Sequence, residues 1–290
     1  MRKFHVAGTA VAALILVLMA SAFAPRTAAT ASAPVTATVT AATTPPGPAL
    51  PGQPIARAGR HPSPAVSSSS NSSRIDSTNW AGYAVARPGA VFRYVQATFF
   101  VPYVDCVRTP NAFSSHWVGL DGLNSRTVEQ LGVEAGCTGT SPQYYAWYEM
   151  YPGNEASAFF VKPGNSIVAS VYYNKHTKMF LLTLRDTTTG QHFSHSLKCM
   201  ATLCKRASAQ IISESPADGS GQALPLADYR ASSFSGISVT DSLGHRGALN
   251  SSRWNTYEII QVNSSTNTVS AQPTSLYRGT AFNDYWFRES

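Results

Sequence analysis

Four carboxylic acids and one carboxamide stand out for the company they keep. Asp121, Glu134, Glu149 and Glu214 each lie in or at the end of a short run of apolar and aromatic residues, and Gln130 lies four residues ahead of Glu134. Two facing carboxylates can cleave a glycosidic bond. One carboxylate can instead act as general base on a water, while a neighbouring carboxamide N–H stabilises the oxyanion that forms. Gln130 suits that second role because its N–H donates without needing a particular protonation state. Other chemistries lack their parts. There is no Gly-x-Ser-x-Gly, no Asp-Thr-Gly, no Gly-rich phosphate loop, no His-Glu-x-x-His and no Cys-x-x-Cys. The histidines do not cluster, and His192 and His195 are three apart in an expected strand, so they face opposite sides. No metal and no cofactor are expected.

The elements that must position these groups are strands. His116–Pro152 reads as three of them, parted by Gly, Asn, Ser and Pro-rich turns. Side chains alternate between the faces of a strand. Trp117, Gly119 and Asp121 then share a face, with Val118 and Leu120 opposite. Gln130, Gly132 and Glu134 share a face, with Leu131 and Val133 opposite. Tyr145, Trp147, Glu149 and Tyr151 share the third. If the strands are neighbours, one face of the sheet is apolar and the other is made of indoles, acids and a carboxamide. Such a face suits a groove that holds an extended ligand. Glu129, beside Gln130, points to the opposite face and is expected to be paired at a strand end.

Outside this stretch, strands are expected at 79–86, 91–101, 156–161, 166–174, 178–186, 191–197, 208–214, 234–239, 255–262, 267–272 and 284–287, with loops at 215–233 and 241–253. No long segment has helical periodicity. The class is all-β, and many short strands without intervening helices imply an antiparallel sandwich or barrel.

Residues 1–24 read as a signal peptide: Arg2 and Lys3, an apolar core from Val6 to Ala20, then small residues for cleavage. Residues 25–73 are Ala, Thr, Pro and Ser with few large apolar side chains, too few to offset ordering entropy. They read as a disordered propeptide, making the chain a zymogen, or as a plain linker. The domain is expected over 74–290. Charge divides the same way. The chain has 22 Lys and Arg against 15 Asp and Glu, but five of the basic residues and none of the acidic ones precede residue 74. The domain is left with 17 against 15, and no basic patch that would hold nucleic acid. Four cysteines behind a signal peptide point to disulfides and to a secreted, extracellular protein. Of the three pairings, Cys106–Cys137 and Cys199–Cys204 are preferred. The first brackets the acidic stretch and the second closes a short loop. Once the signal is removed, no membrane association is expected, and the protein is expected to be a monomer.

Five motifs in order carry a resemblance: Asn79-Trp80-Ala81-Gly82-Tyr83, Trp117-Val118-Gly119-Leu120-Asp121-Gly122, Val128-Glu129-Gln130-Leu131-Gly132-Val133, Tyr144-Tyr145-Ala146-Trp147-Tyr148-Glu149 and Ala209-Gln210-Ile211-Ile212-Ser213-Glu214-Ser215-Pro216. Residues 76–290 resemble the glutamic peptidases, the eqolisins, and most resemble their secreted bacterial-type members. The resemblance implies an antiparallel β-sandwich of two large sheets, of concanavalin or jelly-roll type, and a metal-independent endopeptidase that acts at acid pH on protein or peptide substrates. It implies Gln130 and Glu214 as the catalytic pair, and Trp117, Asp121, Tyr145, Trp147 and Glu149 as substrate-binding residues. Gln210-Ile211 stands where the family usually has Glu-Trp, Tyr145 where some members have Asp, and Leu131 where others have Thr. From the residues alone, a secreted carbohydrate-binding or glycan-cleaving sandwich is the alternative, since an aromatic face can equally stack on sugars.

Overall fold

The computed structural model describes residues 72–290, apart from 124, 201–203, 219, 220 and 264. The expected signal peptide and the segment 25–71 lie outside the described residues. All regular structure among the described residues is β. No helix there is long and apolar enough to cross a membrane.

The strands are β1 (Ser72–Ser77), β2 (Trp80–Ala86), β3 (Phe92–Phe100), β4 (Phe113–Asp121), β5 (Val128–Thr138), β6 (Ser141–Tyr151), β7 (Ala156–Phe160), β8 (Ser166–Asn174), β9 (Met179–Asp186), β10 (His192–Leu197), β11 (Ser208–Glu214), β12 (Ala231–Asp241), β13 (Arg246–Gly247), β14 (Asn255–Val262), β15 (Val269–Pro273) and β16 (Phe282–Trp286). They pair in the order β10-β9-β8-β3-β12-β16-β15-β14-β2-β11-β4-β5-β6-β7. Every pairing on that path is antiparallel.

The path folds over on itself into an antiparallel β-sandwich. One layer is β10-β9-β8-β3-β12 and the other is β14-β2-β11-β4-β5-β6-β7, with β16 and β15 leading from one to the other. Alternation explains the core between them. Val95, Phe99, Val171, Leu182 and Val239 of the first layer meet Val118, Leu120, Leu131, Val133 and Ile211 of the second. The second layer's opposite face carries a separate cluster that includes Trp80, Trp117, Tyr145, Trp147, Ile212 and Ile259. The expected division of His116–Pro152 into an apolar face and an aromatic one is therefore the division between these clusters.

Three local features depart from the expected elements. β1 pairs parallel with β14, Ser72 opposite Thr256 through Ser77 opposite Gln261, and sends Ile75 into the aromatic cluster. Its sequence, Ser-Ser-Arg-Ile-Asp-Ser, holds one large apolar residue, so it carries no alternation to read. Its partner strand makes it a strand. β13 is a two-residue pairing with β12 inside the expected loop 241–253. β5 and β6 run on to Thr138 and Ser141, which pair across a tight turn where Gly139 has φ 58°. The disulfides Cys106–Cys137 and Cys199–Cys204 are both formed. The first ties the loop after β3 to the end of β5.

Candidate active site

The site is built on three adjacent strands, β11, β4 and β5. Gln130 lies opposite Gly119 of β4, and Glu214 lies opposite Ser115 on the other side of that strand. Trp117, between Ser115 and Gly119, stands between them on the same face. Its indole Nε1–H donates to Glu214 Oε2 at 2.8 Å. The far edge of the ring lies over Gly119: a Cβ there would come within 3.0 Å of Trp117 Cζ3 and 3.2 Å of Gln130 Cβ. The ring thus runs from the Glu214 carboxylate to the bare backbone of Gly119, which the Gln130 side chain flanks as well. Gly132 lies opposite Trp117 and must be bare, because a Cβ there would sit 2.5 Å from Trp117 Cβ and 2.2 Å from the His116 carbonyl oxygen. The two glycines in the Trp-Val-Gly and Gln-Leu-Gly runs are therefore the seat of the indole.

Glu214 is almost fully buried. Its second oxygen, Oε1, accepts a hydrogen bond from Asn79 Nδ2 at 2.9 Å. The departure at Gln210-Ile211 leaves the register intact. Ile211 joins the core between the layers and Ile212 the aromatic cluster, so Glu214, two residues on, shares the aromatic face. Gln130 donates from Nε2 to Glu149 Oε2 at 2.5 Å, across the β5–β6 pair, while its Oε1 accepts no hydrogen bond. A primary amide has two N–H donors, so one remains for another acceptor. Trp147 lies opposite Gly132 and Tyr145 opposite Glu134. The buried Trp147 indole N–H has no acceptor. The Ser115 hydroxyl donates to Glu134 Oε2.

Asp121 is placed differently from the other expected site residues. It takes φ 69° at the end of β4, which breaks the strand alternation. Its carboxylate is fully buried and accepts the backbone N–H of Arg206 at 2.6 Å, that of Ala207 at 2.8 Å and the Thr127 hydroxyl at 3.2 Å. These contacts join the end of β4 to the start of β11. Glu129 faces away from Gln130, as expected, and is fully buried beside Asp121 and Thr127. Burial, then the neighbouring Asp121 charge, pushes Glu129 well above the usual carboxylate range.

Sequence reasoning assigned no role to Asn79 or Ser115. Asn79 opens the first motif, but its contact with a residue 135 positions away has no local signature. Among the described residues, no three His, Cys, Asp or Glu side chains gather as a metal ion would require. The face can accept a proton at Glu214 and donate hydrogen bonds from Gln130 and Trp147.

An antiparallel sandwich with acids, indoles and a carboxamide gathered on one layer's outer face places the molecule among the glutamic-peptidase-type β-sandwiches. The chain belongs to the Peptidase A4 family, whose model matches residues 78–277. Similar solved structures agree. Scytalido-glutamic peptidase, solved with a peptide-based transition-state analogue, is 26% identical with a TM-score of 0.62, over 72% of this chain and 98% of that one. SCP-B, an eqolisin solved with the tripeptide Ala-Ile-His, is 25% identical with a TM-score of 0.60 over the same shares. Aspergilloglutamic peptidase from Aspergillus niger shares the fold at 21% identity and a TM-score of 0.51, over 61% of this chain and 99% of that one. No curated protein sequence matches the chain. The protein is a peptidase.

Proposed function

We propose that the protein is a secreted endopeptidase that works at acid pH, with Glu214 as general base and Gln130 as oxyanion donor. The observation that carries this reading is the Trp117 indole. It fixes Glu214 through its N–H, and its other edge lies over Gly119, the residue opposite Gln130, on one face of the sheet. In the ionised form, Glu214 removes a proton from a water as the water oxygen bonds to the scissile carbonyl carbon. The carbonyl oxygen becomes an oxyanion and takes the second Gln130 N–H. Glu149 holds the amide in that orientation through the first. When the C–N bond breaks, Glu214 returns its proton to the leaving nitrogen. General-base help is worth about 10²–10⁴-fold, and one oxyanion donor about 10²–10³-fold in kcat. No step calls for a metal.

Trp117, Tyr145, Trp147 and Glu149 form the wall of the peptide groove, and the buried Trp147 N–H, which has no acceptor, is a donor that a peptide carbonyl could take up if substrate binding uncovers it. The peptide ligands of scytalido-glutamic peptidase and SCP-B support an extended peptide as the occupant. Asp121 acts as a brace, because its carboxylate is taken up by the chain entering β11. Secretion rests on the Arg2-Lys3 start and apolar core of residues 1–24, and on two disulfides in a chain with no free cysteine among the described residues.

The test is cleavage of an acid-denatured protein by the purified full chain from pH 2 to 8, with and without a chelator, beside Gln130→Ala. Cleavage should be confined to acid pH and indifferent to the chelator, and kcat should fall about 10²-fold or more in the variant. Full activity in Gln130→Ala would remove Gln130 from the mechanism, and loss with chelator would remove the metal-free reading. Cleavage of a polysaccharide instead would favour the glycan-cleaving alternative.

A further inference from the structure

Resting on the reading of Glu214 as the base, we propose that Asn79 is a positioning residue that keeps this carboxylate ionised and aimed, and that Ser77, at the end of β1, sets the orientation of the Asn79 amide. Asn79 is 3% exposed and binds the Glu214 oxygen that the Trp117 indole does not hold. Its two ends are used differently. Nδ2 donates to Glu214 Oε1 at 2.9 Å, and Oδ1 accepts the Ser77 hydroxyl at 3.3 Å. The same Ser77 oxygen accepts the backbone N–H of Asn79 at 3.4 Å and that of Trp80 at 3.1 Å. A hydroxyl has one donor and two acceptor positions, so Ser77 is fully engaged and holds the amide with its N–H end toward Glu214.

The backbone fixes the same pair. Ser215 N–H donates to the Asn79 carbonyl at 2.8 Å, and Glu214 lies opposite Trp80 in the β11–β2 register. The turn is tied from behind, where Gln261 Nε2 donates to the Thr78 carbonyl at 3.4 Å. β1 delivers Ser77 by its parallel pairing with β14 and anchors itself through Ile75 beside Trp80 and Trp117. The strand that follows the leader is therefore a working part of the site, and maturation must leave Ser72–Ser77 in place.

The choice of an amide follows from the chemistry. A base used in acid must stay ionised there, and a donor to the charged form favours that form. A cation would serve too but would hold the proton off more strongly than proton uptake allows. An Asn amide does not titrate, so its donation persists across the acid range. Once Glu214 takes the proton, the Asn79 bond to that carboxyl weakens, which favours return of the proton to the leaving nitrogen.

The experiment compares pH profiles of kcat and KM for a single peptide substrate, using the full chain, Asn79→Ala, Asn79→Asp and Ser77→Ala, with near-UV circular dichroism as the check on folding. In Asn79→Ala the acid limb of kcat should move up by about one pH unit, lowering kcat about tenfold at the acid end and much less at the plateau, with KM unchanged. Asn79→Asp should retain activity while its new carboxyl is protonated and can donate. It should lose activity as that group ionises beside Glu214, so its profile narrows from the upper side. Ser77→Ala should shift the acid limb in the same direction by less, and it decides the matter if Asn79→Ala does not fold. A uniform drop at every pH, or an acid limb that stays in place in folded Asn79→Ala and Ser77→Ala, would overturn the proposal. A Glu214→Gln control separates the two readings: if it stays active, the base is misassigned, and if it is inactive while Asn79→Ala keeps the parent's profile, only the positioning role fails.

Discussion

At the scale of single residues, the site depends on an indole seated on bare backbone. Trp117→Phe keeps an aromatic ring, though a smaller one, and removes the N–H that reaches Glu214. A hydrogen bond to a charged group is worth about 1.5–3 kcal/mol, so kcat at acid pH should fall at least tenfold while KM changes little. Gly132→Ala acts by steric conflict. Its Cβ would meet the His116 carbonyl oxygen at 2.2 Å, and neither backbone can yield without distorting the β4–β5 pair. Overpacking of this kind costs about 1–3 kcal/mol, so a denaturant melt should show lower stability, with kcat reduced through a displaced Trp117. A variant with unchanged stability and kcat would show that the indole seat tolerates a methyl group. Alternation sorted Trp117, Gln130 and Glu149 to one face without any knowledge of tertiary contacts, whereas Glu214 was reached only through the resemblance of its motif. Asn79 was not legible, because its role lies in one hydrogen bond between strands far apart in the chain.

At the scale of elements, strands rich in alternating apolar residues were readable and strands made by their partners were not. β2, β3, β8, β9 and β11 lie close to their expected bounds. β1 has too few apolar residues to announce itself. Asp121 shows the limit of alternation from the other side. Its left-handed φ turns the carboxylate away from the aromatic face and onto the backbone N–H groups of Arg206 and Ala207. Strand parity assumes extended φ, and one residue at the strand end sufficed to undo it. Asp121→Ala should leave those two buried donors unpaired and cost about 2–4 kcal/mol of stability, while the KM of the folded fraction stays that of the parent. A raised KM with unchanged stability would return Asp121 to the substrate groove.

At the scale of the whole molecule, buried ionisable groups also lie outside the candidate site, His116 on β4 and Asp284 on β16. His116 is fully buried between the Ser213 and Ser114 hydroxyls, at 3.1 and 3.3 Å, with its ring edge-on to Tyr229. Burial pushes His116 down to about 3. Asp284, also fully buried, is pushed up to about 7 by burial, with the Ser213 and Tyr229 hydroxyls acting against the shift. The two have opposite linkage. Asp284 is protonated more readily folded than unfolded, so its contribution is complete below about 4 and is lost as pH rises to about 7. His116 is protonated less readily folded, so it removes stability as pH falls from about 6.5 to about 3. Glu129, raised like Asp284, tips the balance toward acid. Asp284→Asn should therefore match the parent near pH 4 and melt about 5 °C or more higher near pH 7.5. A Tm difference that does not grow with pH would contradict the assignment. None of this was legible in the sequence, because the burial that shifts His116 and Asp284 comes from strands and loops distant from each in the chain.

The central claim is that Glu214 is the base that activates the water. Its most direct test is kcat/KM for one peptide at the acid optimum, measured for the full chain and for folded Glu214→Gln, a substitution that keeps the shape and removes the ability to take a proton. A loss of about 10²-fold or more is predicted. Retention of the parent's rate by the folded variant would contradict the account.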